Sequence, residues 1–190
     1  GQAFVKQLSS LTGADIAAST NLTGDATKGG DWNLEYATGK IDTATPVTNS
    51  LINNYQGLLA SIFTTQTPDN PNQSDGVGSD GDYELGMEFI SAQAGQIDAI
   101  RHYKSPRETG SHTGRIWSNT GTLLGSVDFT NETASGWQQQ ALSTPLSIAA
   151  NTTYVVSVNA NSYFAVSGGG IGITNGDLSA VNDGSNGTYN

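Results

Sequence analysis

The chain has 190 residues, with 17 acidic side chains against seven Lys and Arg, a formal charge of −10, and no cysteine. That balance excludes nucleic acid and anionic membrane surfaces as partners, because no basic stripe can be assembled. The missing cysteine excludes a disulfide framework, a thiol nucleophile and a thiolate-held zinc, while abundant Gly, Asn, Ser and Thr point to a secreted, β-rich protein of one or two domains.

Taken in order, Phe4, Val5, Leu8 and Leu11 recur at helical spacing, and Gly13 ends the pattern. Trp32, Leu34 and Tyr36 alternate with Asn33 and Glu35, which predicts a strand. Thr45-Pro46 reads as an N-cap with proline at the first helical position. Behind it Val47, Leu51, Ile52, Tyr55, Leu58 and Leu59 trace one face, predicting a helix from Pro46 to Leu59. A polar loop rich in Gly and Asp leads to Glu84, where a period of two takes over. Leu85, Met87 and Phe89 fall on one face; Ile97, Ala99, Arg101 and Tyr103 oppose Asp98, Ile100 and His102; Tyr154, Val156 and Val158 oppose Val155 and Ser157. Such runs, repeated every ten residues or so, predict a mainly β fold: an immunoglobulin-like or jelly-roll antiparallel β-sandwich. Its expected span is residues 60–190, behind a small α/β extension, 1–59, of amphipathic helices and one strand. No apolar run approaches the roughly 18 residues needed to span a bilayer.

The ordered series ELG…F, IRHYK, HTGRIW, GWQ and TTY resembles the bacterial domain-of-unknown-function family numbered 4082, over about residues 60–190. That resemblance implies an extracellular, immunoglobulin-like sandwich within large surface proteins, with neither catalytic residues nor a settled ligand. The segment TGADIAAS followed by GGDWNLEY is similar to the tail of the caspase-like adhesin domain family numbered 4347, over residues 1–59. That family's histidine-containing SHG stretch and any cysteine are missing, so protease activity does not carry over.

Three sets of residues invite a functional reading. Asp75, Asp80, Asp82 and Glu84 sit among glycines, and calcium takes six to eight oxygens that such a loop can fold inward; a solvated acidic turn is the plainer alternative. Trp137, Tyr103 and Tyr163 raise carbohydrate binding, since sugars stack on flat aromatics flanked by polar groups, whereas Trp117 beside Ile116 suits a core position. Trp32, Leu34 and Tyr36 offer a row of apolar side chains for assembly. Hydrolysis by paired carboxylates finds candidates in Glu84, Glu88, Asp128 and Glu132, but nothing separates an acid from a base among them. His102 and His112 lack an evident serine to complete a triad, and Lys104 lacks the surroundings of an isopeptide crosslink.

The expected role is therefore non-catalytic: an extracellular structural or adhesive module of a bacterial surface or matrix protein, with calcium as the one cofactor suggested. It would associate with copies of itself or with neighbouring domains, the filament form arising if the 32–36 strand completed the sandwich of the next subunit. The alternative is a carbohydrate-binding module for a polysaccharide. Neither nucleic acid nor membrane insertion is expected.

Overall fold

The computed structural model describes residues 2–44, 47–74, 83–167 and 172–181. The chain divides into two compact units, residues 1–61 and 62–190.

In the first unit, α1 (Gln2–Thr12) forms where the spacing predicts it, and Gly13 closes it at φ 69° with its N–H on the Ser9 carbonyl. Val5 is buried, whereas Phe4 and Leu11 remain exposed. Short strands β1 (Ala17–Ala18), β2 (Thr23–Gly24), β3 (Tyr36–Ala37) and β4 (Leu58–Leu59) pair β1 with β3 and β2 with β4, and a six-residue helix, α2, spans Asn49–Asn54. Two expectations need correction here. The strand over Trp32, Leu34 and Tyr36 shrinks to Tyr36–Ala37, already paired inside its own unit. The Asp31 carboxylate takes the Asn33 N–H at 2.8 Å, and Glu35 takes the Thr20 N–H at 2.8 Å. Such side-chain bonds to backbone compete with a ladder. Trp32 packs edge-on against Tyr55 and Leu34 is left exposed, so the three do not form one apolar row. The helix expected to reach Leu59 stops at Asn54, because Leu58 and Leu59 are drawn into β4. That pairing needs glycine at position 24: a Cβ there would meet the Gly57 carbonyl at 2.4 Å. Residues 45 and 46, the expected helix start, lie outside the described residues.

The second unit is the sandwich. Its strands are β5 (Asn70–Ser74), β6 (Tyr83–Ser91), β7 (Gly95–Lys104), β8 (Thr113–Ser118), β9 (Leu123–Asp128), β10 (Gly136–Ile148), β11 (Thr153–Ala160), β12 (Tyr163–Val166), β13 (Thr174–Asn175) and β14 (Leu178–Ala180). One sheet runs β13-β14-β6-β11-β8-β9; β10 pairs with β7, and β12 with β5, all antiparallel. Phe89, Ile116 and Tyr154 from the large sheet meet Ile100, Leu142 and Ile148 from the β7–β10 ribbon, with Phe129 at one end. Burial of these faces supplies the main driving force.

Alternation holds on β6 and β11 as the sequence predicts, and on β7 as far back as Asp98, but it breaks at Ile97. His102 and Ile100 are buried, and Ile97 packs on the same core although it lies out of phase with them. The register explains this: Ala141 faces Ala99, yet Leu146 faces Ile97, so the ladder slips and one stretch turns over relative to the other. Trp117 is also corrected. Ile116 takes the core position at 1 % exposure, which sends its neighbour to the opposite face, where the indole N–H donates to Ser157 Oγ at 2.7 Å.

Candidate functional site

One end of the sandwich holds a cluster of five ionisable side chains: His102, Lys104, Glu108, His112 and Glu132. His102 and Lys104 share the inward phase of β7 with Ile100. Glu108 and His112 come from the loop between β7 and β8. A turn places them: Ser105, almost fully buried, accepts the Glu108 N–H on its carbonyl and the Arg107 N–H on its hydroxyl. Glu132 lies in the loop before β10, after Asn131 in a left-handed conformation (φ 56°) that asparagine tolerates. Two glutamines that face inward from β10 lace this loop down. Gln138 exchanges bonds with the Thr133 N–H and hydroxyl, and the Gln140 carbonyl takes the Thr130 N–H.

The geometry is closed. Glu132 accepts from Lys104 Nζ at 2.8 Å, His112 Nδ1 at 2.9 Å and His102 Nε2 at 3.1 Å. His112 Nε2 turns the other way, to Glu108 Oε1 at 3.3 Å. Glu108 in turn caps three successive backbone N–H groups, from Asn161 at 2.6 Å, Ser162 at 3.1 Å and Tyr163 at 2.6 Å, where β11 passes into β12. Both ring nitrogens of His112 thus face carboxylate oxygens, an arrangement that an imidazolium satisfies with its two donors. Lys104, His112 and His102 thus converge on the Glu132 carboxylate, and Glu108 faces the second nitrogen of His112.

Burial pushes the Glu108 carboxyl upward, but the backbone N–H groups of Asn161, Tyr163 and Ser162, with His112, outweigh it and hold the group below the usual range. Glu132 behaves alike: burial raises it, and the bonds from Lys104, His112 and His102 overcome that and lower it. For His102 burial dominates and lowers its pKa, only partly offset by Glu132, which keeps the ring neutral. The His102 ring also rests edge-on against Phe129, 4.5 Å between centroids.

His102, His112 and Glu132 bring their donor atoms within 4.8 Å of one another, a three-ligand set of the kind that zinc accepts. The fit is poor. The Lys104 ammonium already occupies one Glu132 oxygen. The closest nitrogen–oxygen separations, 2.9 and 3.1 Å, are hydrogen-bond lengths. Ligands that share a tetrahedral zinc stand about 3.3 Å apart. Hydrogen bonds link the three side chains to one another in this arrangement. The side chains of the cluster are 2–12 % exposed; a cavity of about 270 Å³ lies elsewhere, between Gly125–Ser126 of β9 and Ser143–Pro145 of β10, and no ionisable group lines it.

Of the residues singled out in the sequence, Asp75, Asp80 and Asp82 lie outside the described residues. Glu84 lies on β6 with its carboxylate held by Arg115 Nη1 at 2.6 Å and by the Ser157 hydroxyl. Trp137 and Tyr103 are brought together, ring centroids 5.5 Å apart and nearly perpendicular. Tyr163 instead stands on β12, with the Arg107 guanidinium 4.2 Å over its ring and bonded to its hydroxyl. The ionic cluster was not anticipated as a unit. Its one legible signal is His102, a polar residue in phase with Ile100; Glu108, His112 and Glu132 come from loops, where periodicity says nothing.

Residues 65–190 match the family described as domain of unknown function (DUF4082), and residues 1–59 match domain of unknown function (DUF4347). Comparison with the curated proteins finds no match.

Proposed function

The chain belongs to the DUF4082 family of domains of unknown function, and we propose that it serves as a non-catalytic structural or adhesive module of a bacterial surface or matrix protein. The observation that carries this reading is the state of the ionic cluster. The ordinary components of an acid–base centre are present, but each of the five side chains is already bonded to another member, Glu108 to the backbone as well, and His112 is 2 % exposed. A catalytic pair needs a free lone pair or proton within reach of a substrate. Here the same groups tie three loops and β7 together at one end of a sandwich without disulfides, which suits a domain that must persist rather than turn over. No helix among the described residues is long and apolar enough to cross a membrane.

Two measurements test the proposal. Purified chain and an E132Q variant are incubated with chromogenic glycosides, esters and peptides; we expect turnover from neither, and turnover lost in E132Q would make the cluster a catalytic centre. Beads coated with the chain should clump with one another or adhere to beads that carry its neighbouring domains. Beads that stay dispersed would remove the adhesive part of the reading.

A further inference from the structure

The face of the β7–β10 ribbon turned away from the core carries Arg101 and Tyr103 on one strand, opposite Gln139 and Trp137 on the other. Residues 63–66 lie across this face as a strap. The Phe63 ring stacks on Trp137 at 5.5 Å and 28°. The Phe63 carbonyl accepts from Arg101 Nη1 at 2.6 Å, and the Gln66 carbonyl accepts from the Trp137 indole N–H at 2.9 Å. The Arg101 guanidinium stands 4.9 Å from the Trp137 ring centre, and Tyr103 closes the edge.

The strap therefore presents a flat apolar ring to the indole and two oxygen acceptors to donors beside it. A pyranose makes the same three contacts: its C–H face stacks on an indole, and its hydroxyl and ring oxygens accept from guanidinium and N–H. We propose that Trp137, Tyr103 and Arg101 form a glycan subsite that the chain's own strap occupies, and that its ligand is a neutral, flat, equatorially substituted hexopyranose chain. Neutrality follows from charge: a formal −10 repels uronate and sulfate polymers as it repels nucleic acid. The strap begins next to Ile62, which packs on the core, whereas Phe63 and Gln66 are not part of that core cluster. Ligand and strap compete for one face, and apparent affinity is reduced by the fraction of time the face is covered. This goes beyond the structural role proposed above and fails independently of it.

The test is binding of the full chain to soluble β-glucans of different linkage (hydroxyethyl cellulose, mixed-linkage glucan and laminarin), with polygalacturonate as the charged control, measured by affinity electrophoresis. Native chain should bind one neutral polymer weakly. F63A should bind it about tenfold tighter, the worth of a stacked ring pair, and F63A/W137A not at all. No binding to any neutral polymer by native chain or F63A overturns the proposal, as does binding that survives W137A or prefers polygalacturonate. Tryptophan emission provides a check on the variant itself. F63A should shift to the red against native chain, and W137F should abolish that difference; an unshifted F63A means that the strap does not cover Trp137 and also overturns the proposal.

Discussion

Replacing Glu132 by glutamine keeps the shape and removes one charge from the buried cluster. The native carboxylate serves Lys104, His112 and His102, with Lys104 and Glu132 side chains 12 % and 9 % exposed. The amide has one acceptor oxygen and turns an NH₂ toward groups that are themselves donors, leaving at least one buried cation unpaired. Breaking a buried pair from one side costs about 3–5 kcal/mol. For a sandwich of this size that corresponds to a fall in Tm of about 10–20 °C. The contrast is E84Q: the Glu84–Arg115 pair is 37 % and 28 % exposed on the sheet surface, and loss of such a pair costs about 0.2–1 kcal/mol. Urea denaturation followed by tryptophan fluorescence, with calorimetry alongside, measures both. A third variant isolates the cause. K104M/E132L takes the acceptor from His102 Nε2 and His112 Nδ1 but removes one charge of each sign, leaving no buried ammonium without its carboxylate, so it should be more stable than E132Q although it alters more atoms. E132Q no more costly than E84Q, or K104M/E132L less stable than E132Q, would refute the account of a balanced buried network.

Acid should weaken the sandwich in two stages. His102, Glu108 and Glu132 all have lowered folded-state pKa values, so each contributes stability that is complete above its unfolded pKa and lost as pH falls through the folded one. The His102 part begins to go below about pH 6.5 and the carboxylate part below about pH 4.3. Tm against pH should show both, and H102F, which keeps an aromatic ring against Phe129, should remove the upper stage only; an unchanged upper slope would acquit His102. In the core, G114A should destabilise by about 1–3 kcal/mol, because its Cβ would meet Ile100 at 2.9 Å and Phe129 at 3.1 Å. G125A, with open space around it, should be close to neutral; equal effects from the two in thermal melts would show that the packing around Gly114 yields.

The sandwich was legible because its evidence is local: on β6, Leu85, Met87 and Phe89 need only an alternating backbone to share a face. Three features escaped for separate physical reasons. The break in alternation at Ile97 depends on a register slip in the partner strand, which β7's own residues cannot reveal. The strand expected around Leu34 lost to side-chain bonds from Asp31 and Glu35, whose targets at Asn33 and Thr20 become visible only when the loop is built. The cluster joins positions 102, 104, 108, 112 and 132 through three-dimensional proximity alone, and its charges look like solvated loop residues until burial is known. Trp137 falls between these cases: its place at a strand start left core and surface both open, and its cover by Phe63, some seventy residues earlier, could not be read.

The order of strands in the large sheet also sets a folding timetable. The β8–β9 hairpin closes over a short turn, and β11 zips onto β8 and β6 within the middle of the chain. In contrast, β14 seats beside β6 by placing Leu178 opposite Ser91, roughly ninety residues upstream, and loop closure on that scale is slow. It contributes three paired residues to a strand of nine. Until β14 is available, a folding chain therefore leaves one border of β6 open from Phe89 to Ser91.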